Sequence, residues 1–152
     1  MIATFTVPGQ PIPKGRARAS LRRGRIHHHT PERTVAYEDA VGWAARAACG
    51  RSPFDLEGGE ARPLAVSIVA VLRRPLTLDR PKSAGRPQGR QWATAAAGDA
   101  DNFIKSILDG MQKSGALMDD RHVVDVRCRV VYAAQGEDAH AEVTVCAAGV
   151  VP

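Results

Sequence analysis

The chain has 152 residues, with 21 Lys and Arg against 16 Asp and Glu, a formal charge of +5, and 44% hydrophobic residues. That length is about one domain's worth and long enough to bury a core, and the apolar fraction excludes a wholly disordered chain. No apolar run approaches the ~20 residues of a membrane helix, and the N-terminal MIATFTVPGQ lacks the basic-then-apolar pattern expected of a secretory signal.

Residues 2–7 (IATFTV) alternate apolar and polar with β-branched enrichment, which predicts a first strand. Pro and Gly then interrupt every regular pattern through residues 8–30, predicting a basic loop with Lys14, Arg16, Arg18, Arg22, Arg23 and Arg25 and no acidic residue. Such a like-charged run repels itself without an anionic partner, and nucleic acid supplies one. His27, His28 and His29 have no second Cys/His cluster at zinc spacing, so they are read as basic surface or part of a strand. Thr30-Pro31-Glu32 predicts a helix start, with Thr30 as N-cap and Pro31 in the first turn. The helix then runs through Cys49 on a stripe of Val35, Ala36, Val41, Ala44, Ala45 and Ala48, ended by Gly50.

Residues 63–73 (PLAVSIVAVLR) read as a strand buried on both faces. Residues 74–98 carry three prolines, three glycines and four arginines, predicting a second basic loop with Arg80, Lys82, Arg86 and Arg90 as candidate DNA contacts. Trp92, in the same loop, either stacks on a base or anchors the loop. Phe103, Ile104, Ile107, Leu108 and Met111 recur at helical spacing and predict a helix over 101–114, with Asp101 or Asn102 as cap and Gly115 as its left-handed stop. In 123–132, Val124, Val126, Cys128, Val130 and Tyr132 alternate with Asp125, Arg127, Arg129 and Val131, a half-buried strand. Residues 140–146 alternate likewise, and the turn at 135–138 joins the two strands as a predicted hairpin. The order β-α-β-α-β-β predicts an α/β (α+β) fold: one compact domain over 1–152, with a mixed sheet packed by two main helices.

The charge is unevenly placed. Residues 1–98 sum to +9, whereas residues 99–125 sum to −3 and hold Asp99, Asp101, Asp109, Asp119, Asp120 and Asp125. The 17 arginines against four lysines suit bidentate phosphate recognition, although a GC-rich coding bias produces the same excess. A basic body around one acidic centre suits a nucleic-acid enzyme, with cations for the backbone and carboxylates for a divalent ion. The three cysteines, Cys49, Cys128 and Cys146, are widely spaced and fit reduced thiols in a cytoplasmic protein.

Asp99 and Asp101 stand two apart on an extended run into the second helix, so both side chains can lie on one side. Asp119-Asp120 follows that helix and a short turn, and the spacing allows the two acidic pairs to converge. Converging carboxylates suit Mg²⁺, which takes hard oxygen ligands and keeps several waters. Lys105, four residues after Asp101, can neutralise charge building on a phosphate. The structural alternative is equally concrete: Asp101 caps the helix, Lys105 pairs with Asp101 or Asp109, and Asp119-Asp120 is a polar turn.

GDADNFIKSILDGMQKSGALMDDRHVVDVRCRVVY, residues 98–132, resembles the core of the RusA family of Holliday-junction resolvases. Pro-x-Pro-Lys-Gly-Arg-x-Arg from Pro11 and Thr-Pro-x-x-Thr-x-x-Tyr-Glu from Thr30 resemble stretches of its phage and prophage members. The resemblance implies a homodimeric, Mg²⁺-dependent endodeoxyribonuclease, with Mn²⁺ as a substitute ion and no small-molecule cofactor or membrane partner. Its expected substrate is the four-way DNA junction of recombination and repair, cut by paired symmetric nicks that leave 5′-phosphates. It implies Asp99, Asp101 and Asp120 as metal-binding and catalytic carboxylates, Asp119 beside them, and Lys105 as a catalytic lysine. Gly98 stands where many members have Pro, His122 where Gln is common, and His29 where Tyr is common. The competing readings are a non-catalytic DNA-binding or regulatory phage protein, and a metal nuclease acting on other branched DNA or on RNA.

Overall fold

The computed structural model describes residues 2–15, 18–22, 25–79 and 87–149, with 18–22 and 25–29 described by their backbone. Its five-stranded sheet is built from β1 (Ile2–Pro8), β6 (Leu64–Leu72), β7 (Gln91–Trp92), β8 (Val123–Tyr132) and β9 (His140–Ala147). Two short hairpins pair β2 (Arg18–Arg22) with β3 (Arg25–His29) and β4 (Leu56–Glu57) with β5 (Glu60–Ala61). Helices α1 (Glu32–Cys49) and α2 (Ala100–Lys113) complete the domain.

The sheet order is β1-β9-β6-β8-β7, with β6 and β8 parallel and every other pair antiparallel, so the sheet is mixed as predicted. The predicted β8–β9 hairpin does not form. β6 lies between them, bonded to β8 on one edge and β9 on the other. The cause is in its composition: LAVSIVAVL is apolar on both faces, and a strand that buries both faces belongs at the sheet centre with neighbours on both edges. The connection after β8 therefore crosses the end of β6, where the Ala133 amide donates to the Leu72 carbonyl at 2.8 Å.

Both helices pack on one face of the sheet. Phe5 and Val7 of β1, Val66 and Ile68 of β6, and Val143 and Val145 of β9 form the core with Tyr37, Val41 and Ala45 of α1 and Ile107 and Met111 of α2. On the opposite face, Thr4 and Thr6 line up with Thr144 and Glu142, then Ser67 and Val69, then Arg127 and Arg129. That side is a shallow polar groove with no helix over it among the described residues.

The inward stripe of α1 is Thr34, Tyr37, Glu38, Val41, Gly42 and Ala45, whereas Ala36 and Ala48 are exposed. Alanine is indifferent to exposure, so an alanine-rich helix hides its true face from a hydrophobicity count. Pro31, rather than Thr30, is the N-cap, and its carbonyl accepts from the Thr34 and Val35 amides. The two helices meet through glycines. A Cβ on Gly110 would lie 2.6 Å from the Glu38 carbonyl oxygen and 2.8 Å from Val41 Cβ, and one on Gly42 would lie 2.9 Å from Ser114 Cβ.

β8 matches its predicted bounds, but Val124 and Val126 are 63% and 40% exposed. Apolar cover in the cluster around Phe103 starts at Cys128 and continues through Val130 and Tyr132. Burial pushes the Cys128 thiol up to about 11, so it is a packing group, and no disulfide joins Cys49, Cys128 and Cys146. Two segments expected to lack regular structure contain some. One is the β2–β3 hairpin. The other is the 74–98 loop, with 3₁₀ turns at Leu76–Leu78 and Ala95–Ala97 around β7. Arg74 anchors the base of this loop, bonding Asp79 at 2.8 Å and the Pro87 carbonyl at 2.7 Å.

Candidate active site

Asp99 is the N-cap residue of α2, a place the sequence reading assigned to Asp101 or Asn102. It caps with its backbone, the Asn102 amide donating to its carbonyl at 3.1 Å, while its carboxylate makes no capping bond. Asp101 lies in the first turn, and Asp120 opens a 3₁₀ turn, Asp120–His122, that contacts α2. Asp99, Asp101, Lys105 and Asp120 are all exposed, and none of their side chains has a hydrogen-bond or ion-pair partner among the described residues. Two parts of the structural alternative fail, since Asp101 is not the cap and Lys105 pairs with neither Asp101 nor Asp109, which pairs with Lys14 at 2.6 Å; the third holds, Asp119-Asp120 forming a polar turn.

As the side chains stand, Asp99, Asp101 and Asp120 do not gather their oxygens within a single 4.8 Å group. Their chemistry fits Mg²⁺ nonetheless: hard, exposed carboxylates with no cation against them among the described residues suit an ion that keeps waters between itself and some ligands. Asp119 differs. Its carboxylate accepts from the Arg121 amide at 3.0 Å and pairs with Arg121 Nε at 2.8 Å, which holds its pKa below the ordinary value.

The approach to α2 is built by the first basic segment. Lys14 donates its amide to the Asn102 carbonyl at 2.8 Å, and a Cβ on Gly98 would lie 3.4 Å from both Pro13 Cγ and Phe103 Cε2. Gly98 has φ +113°, a conformation that proline, fixed near −65°, cannot adopt. The departure from the family's proline is thus a different backbone path into the acidic pair. Lys14 Nζ bridges Glu38 on α1 and Asp109 on α2. Burial alone would lower its pKa, but the bonds to Asp109 and Glu38 outweigh that and raise it. The two motifs around Pro11 and Thr30 therefore form one unit: Thr34, Tyr37 and Glu38 face inward, and Glu38 meets Lys14.

Among the other predicted contact residues, Arg18, Arg22 and Arg25 lie on β2 and β3. Arg16, Arg23, Arg80, Lys82 and Arg86 lie outside the described residues, as do the side chains of the three strand arginines. Arg90 is described, and its guanidinium is ion-paired at the protein surface. It bonds Glu137 at 2.5–3.1 Å and Glu142 at 2.6 Å, while His140 Nε2 approaches Glu142 at 3.0 Å. Glu137, His140 and Glu142 are close enough to resemble a cation site, but Arg90 supplies the cation. Trp92 is 72% exposed, so it does not anchor its loop by burial.

This cluster carries a pH signature. The bonds to Arg90 lower the Glu137 and Glu142 pKa values from 4.5, and that stabilisation is lost as pH falls through the folded values. For His140, burial alone would lower the pKa, but bonds to the Asp138 carbonyl and Glu142 raise it above 6.5, so its contribution is lost as pH rises through that folded value. The cluster therefore stabilises most between about pH 4.5 and 6.5. Arg90→Ala should lower stability by about 1 kcal/mol, a figure kept small by partial exposure, hence by ~3 °C in Tm. The loss should be largest in that window, with junction affinity unchanged. Thermal melts from pH 3 to 9 check the first point and a gel-shift titration the second.

Sequence reasoning missed Asp55. Its side chain is fully buried and accepts from the Met118 amide at 2.9 Å, the Asp119 amide at 3.2 Å and His122 Nδ1 at 2.7 Å. Burial alone would raise its pKa; the His122 bond and the two amides outweigh it and hold the carboxyl below its ordinary range. No periodicity marks a lone Asp in a turn, and its partners lie more than 60 residues on.

Residues 8–145 match the family model described as Endodeoxyribonuclease RusA. The chain is also 26% identical over 141 residues to a Bacillus subtilis (strain 168) protein named Uncharacterized protein YqaN, covering 93% of each. Every candidate residue from Lys14 to Asp120 falls inside the family match.

Proposed function

The chain belongs to the RusA endodeoxyribonuclease family, and from that premise we propose that it is a Mg²⁺-dependent nuclease that resolves four-way DNA junctions by paired symmetric nicks. One observation carries the reading within this chain: three carboxylates, Asp99, Asp101 and Asp120, and the cation Lys105 stand exposed at the start of α2 and on the turn that contacts it, with no side-chain partner among the described residues. Asp99, Asp101 and Asp120 would hold the metal, which when bound supplies Lewis-acid activation of water and of the scissile phosphate. Lys105 neutralises charge growing on the phosphate as water attacks in line. The basic residues of the 8–30 segment, with Arg80, Lys82 and Arg86 of the second loop, contact the DNA arms, whereas Arg90 is taken up by Glu137 and Glu142. A homodimer matches the substrate, since two symmetric sites meet two symmetric strands, and recombination and repair in the cytoplasm is the setting such a substrate implies. No helix among the described residues is long and apolar enough to cross a membrane.

The test is cleavage of a synthetic four-way junction with Mg²⁺, with Mn²⁺ and with chelator, beside three-way, flapped and linear duplexes and a branched RNA. Paired nicks in the four-way junction, abolished by chelator, support the reading. Binding indifferent to metal with no products indicates a DNA-binding protein, and faster cutting of another substrate reassigns the substrate.

A further inference from the structure

We infer that Asp55, acting through His122, is a positioning residue that presents Asp120 to the metal. The inference rests on the nuclease reading above. The turn from Met118 to His122 is held at both ends by one carboxylate: Asp55 accepts the Met118 and Asp119 amides at its start and His122 Nδ1 at its finish. Between these anchors Asp119 is tied to Arg121, and Asp120 offers the one charged side chain of the turn without a partner among the described residues. The Asp120 carbonyl accepts the Val123 amide, and only its carboxylate is left without a partner among the described residues.

Asp55 is itself fixed from the scaffold side. The Phe54 amide donates to the Ala116 carbonyl at 2.8 Å, and the fully buried Phe54 ring stacks on Phe5, with centroids 6.3 Å apart. The Asp55 carbonyl accepts the Arg62 amide at 2.9 Å, and Arg62 Nε donates to the Phe54 carbonyl at 2.9 Å. A buried carboxylate this well bonded is a rigid bracket, because leaving any of its partners unpaired in the interior is costly. Residues behind metal ligands commonly govern affinity through such orientation. Glutamine at position 122 can still donate to Asp55, so the residue common in the family is compatible with the same bracket.

The experiment is Mn²⁺ titration of the full chain followed by electron paramagnetic resonance, with thermal melts and the Mg²⁺ dependence of junction cleavage measured in parallel. His122→Ala should weaken Mn²⁺ binding by roughly 10- to 100-fold and raise the Mg²⁺ needed for half-maximal cutting by a similar factor, with the rate at saturating Mg²⁺ much less affected. His122→Gln should recover most of the loss. Mn²⁺ affinity in His122→Ala equal to that of the parent protein overturns the inference. If His122→Ala does not fold, Asp55→Asn is read by the same titration and must also weaken binding. Asp120→Asn separates the two levels: if it binds Mn²⁺ undiminished, the site assignment fails, whereas if it loses Mn²⁺ and His122→Ala does not, only the role of Asp55 and His122 fails.

Discussion

Asp120→Asn and Asp101→Asn should each reduce junction cleavage by ~10³-fold or more, about 4 kcal/mol of transition-state stabilisation, because each removes an anionic metal ligand. Both side chains are exposed and without a partner among the described residues, so melting temperatures should stay within ~2 °C of the parent protein, as for other surface substitutions. Junction affinity should hold or improve, since each change removes a negative charge near phosphate. The combination of lost chemistry with kept fold and kept binding separates a metal site from a structural acidic turn. Cleavage by either variant at the parent rate would remove that residue from the site. Asp119→Asn should behave differently and spare most activity, because Arg121 already neutralises that carboxylate.

The largest expected effect on stability is at the helix crossing. In Gly110→Ala the new Cβ meets the Glu38 carbonyl at 2.6 Å and Val41 Cβ at 2.8 Å, both in well-packed surroundings. Overpacking of this kind costs about 3 kcal/mol, and better helix propensity returns only ~1. A net loss of about 2 kcal/mol corresponds to a fall of ~6 °C in Tm for a chain of this size. Gly115→Ala is the informative control: its φ of +73° is strained for alanine, but a Cβ there meets nothing within 4 Å. It should therefore cost ~1 kcal/mol and leave the helix pair undisturbed. Urea denaturation of both variants decides the point, and equal losses would mean that the close approach at Gly110 is unimportant.

Local pattern made much of the fold readable. The alternation in 123–132 marked β8 to the residue, and the helical spacing from Phe103 to Met111 placed α2 within one residue of its observed bounds. Non-local pairing was not readable. Nothing in 135–138 says that β6, more than 50 residues upstream, will separate β8 from β9, although the doubly apolar composition of 63–73 was the clue. The site followed the same division. Asp99, Asp101 and Asp120 stood out because acidic residues gather there in an otherwise basic chain, and the metal role came from resemblance. Lys14 reads as a free cation because its partners, Glu38 and Asp109, are brought to it only by the packing of α1 and α2. Asp55 was invisible for the same reason: its meaning depends on a turn that folds against it from the far side of α2.

β1 has one neighbour in the sheet, β9, in a register that runs from Ile2↔Cys146 to Pro8↔His140. Its strand pairing is therefore wholly non-local, closing a loop of more than 130 residues, and the nearer partner it has is α1, on which Phe5 and Val7 pack. Because β9 also needs β6, the order of assembly is constrained, with the β6–β8 unit and its crossover helix forming early and β9 and β1 docking late. Refolding should thus be governed by search over long separations, in the millisecond-to-second range of high-contact-order domains. The exposed edge of β9 in that interval is where a crowded or overexpressed chain would first go astray.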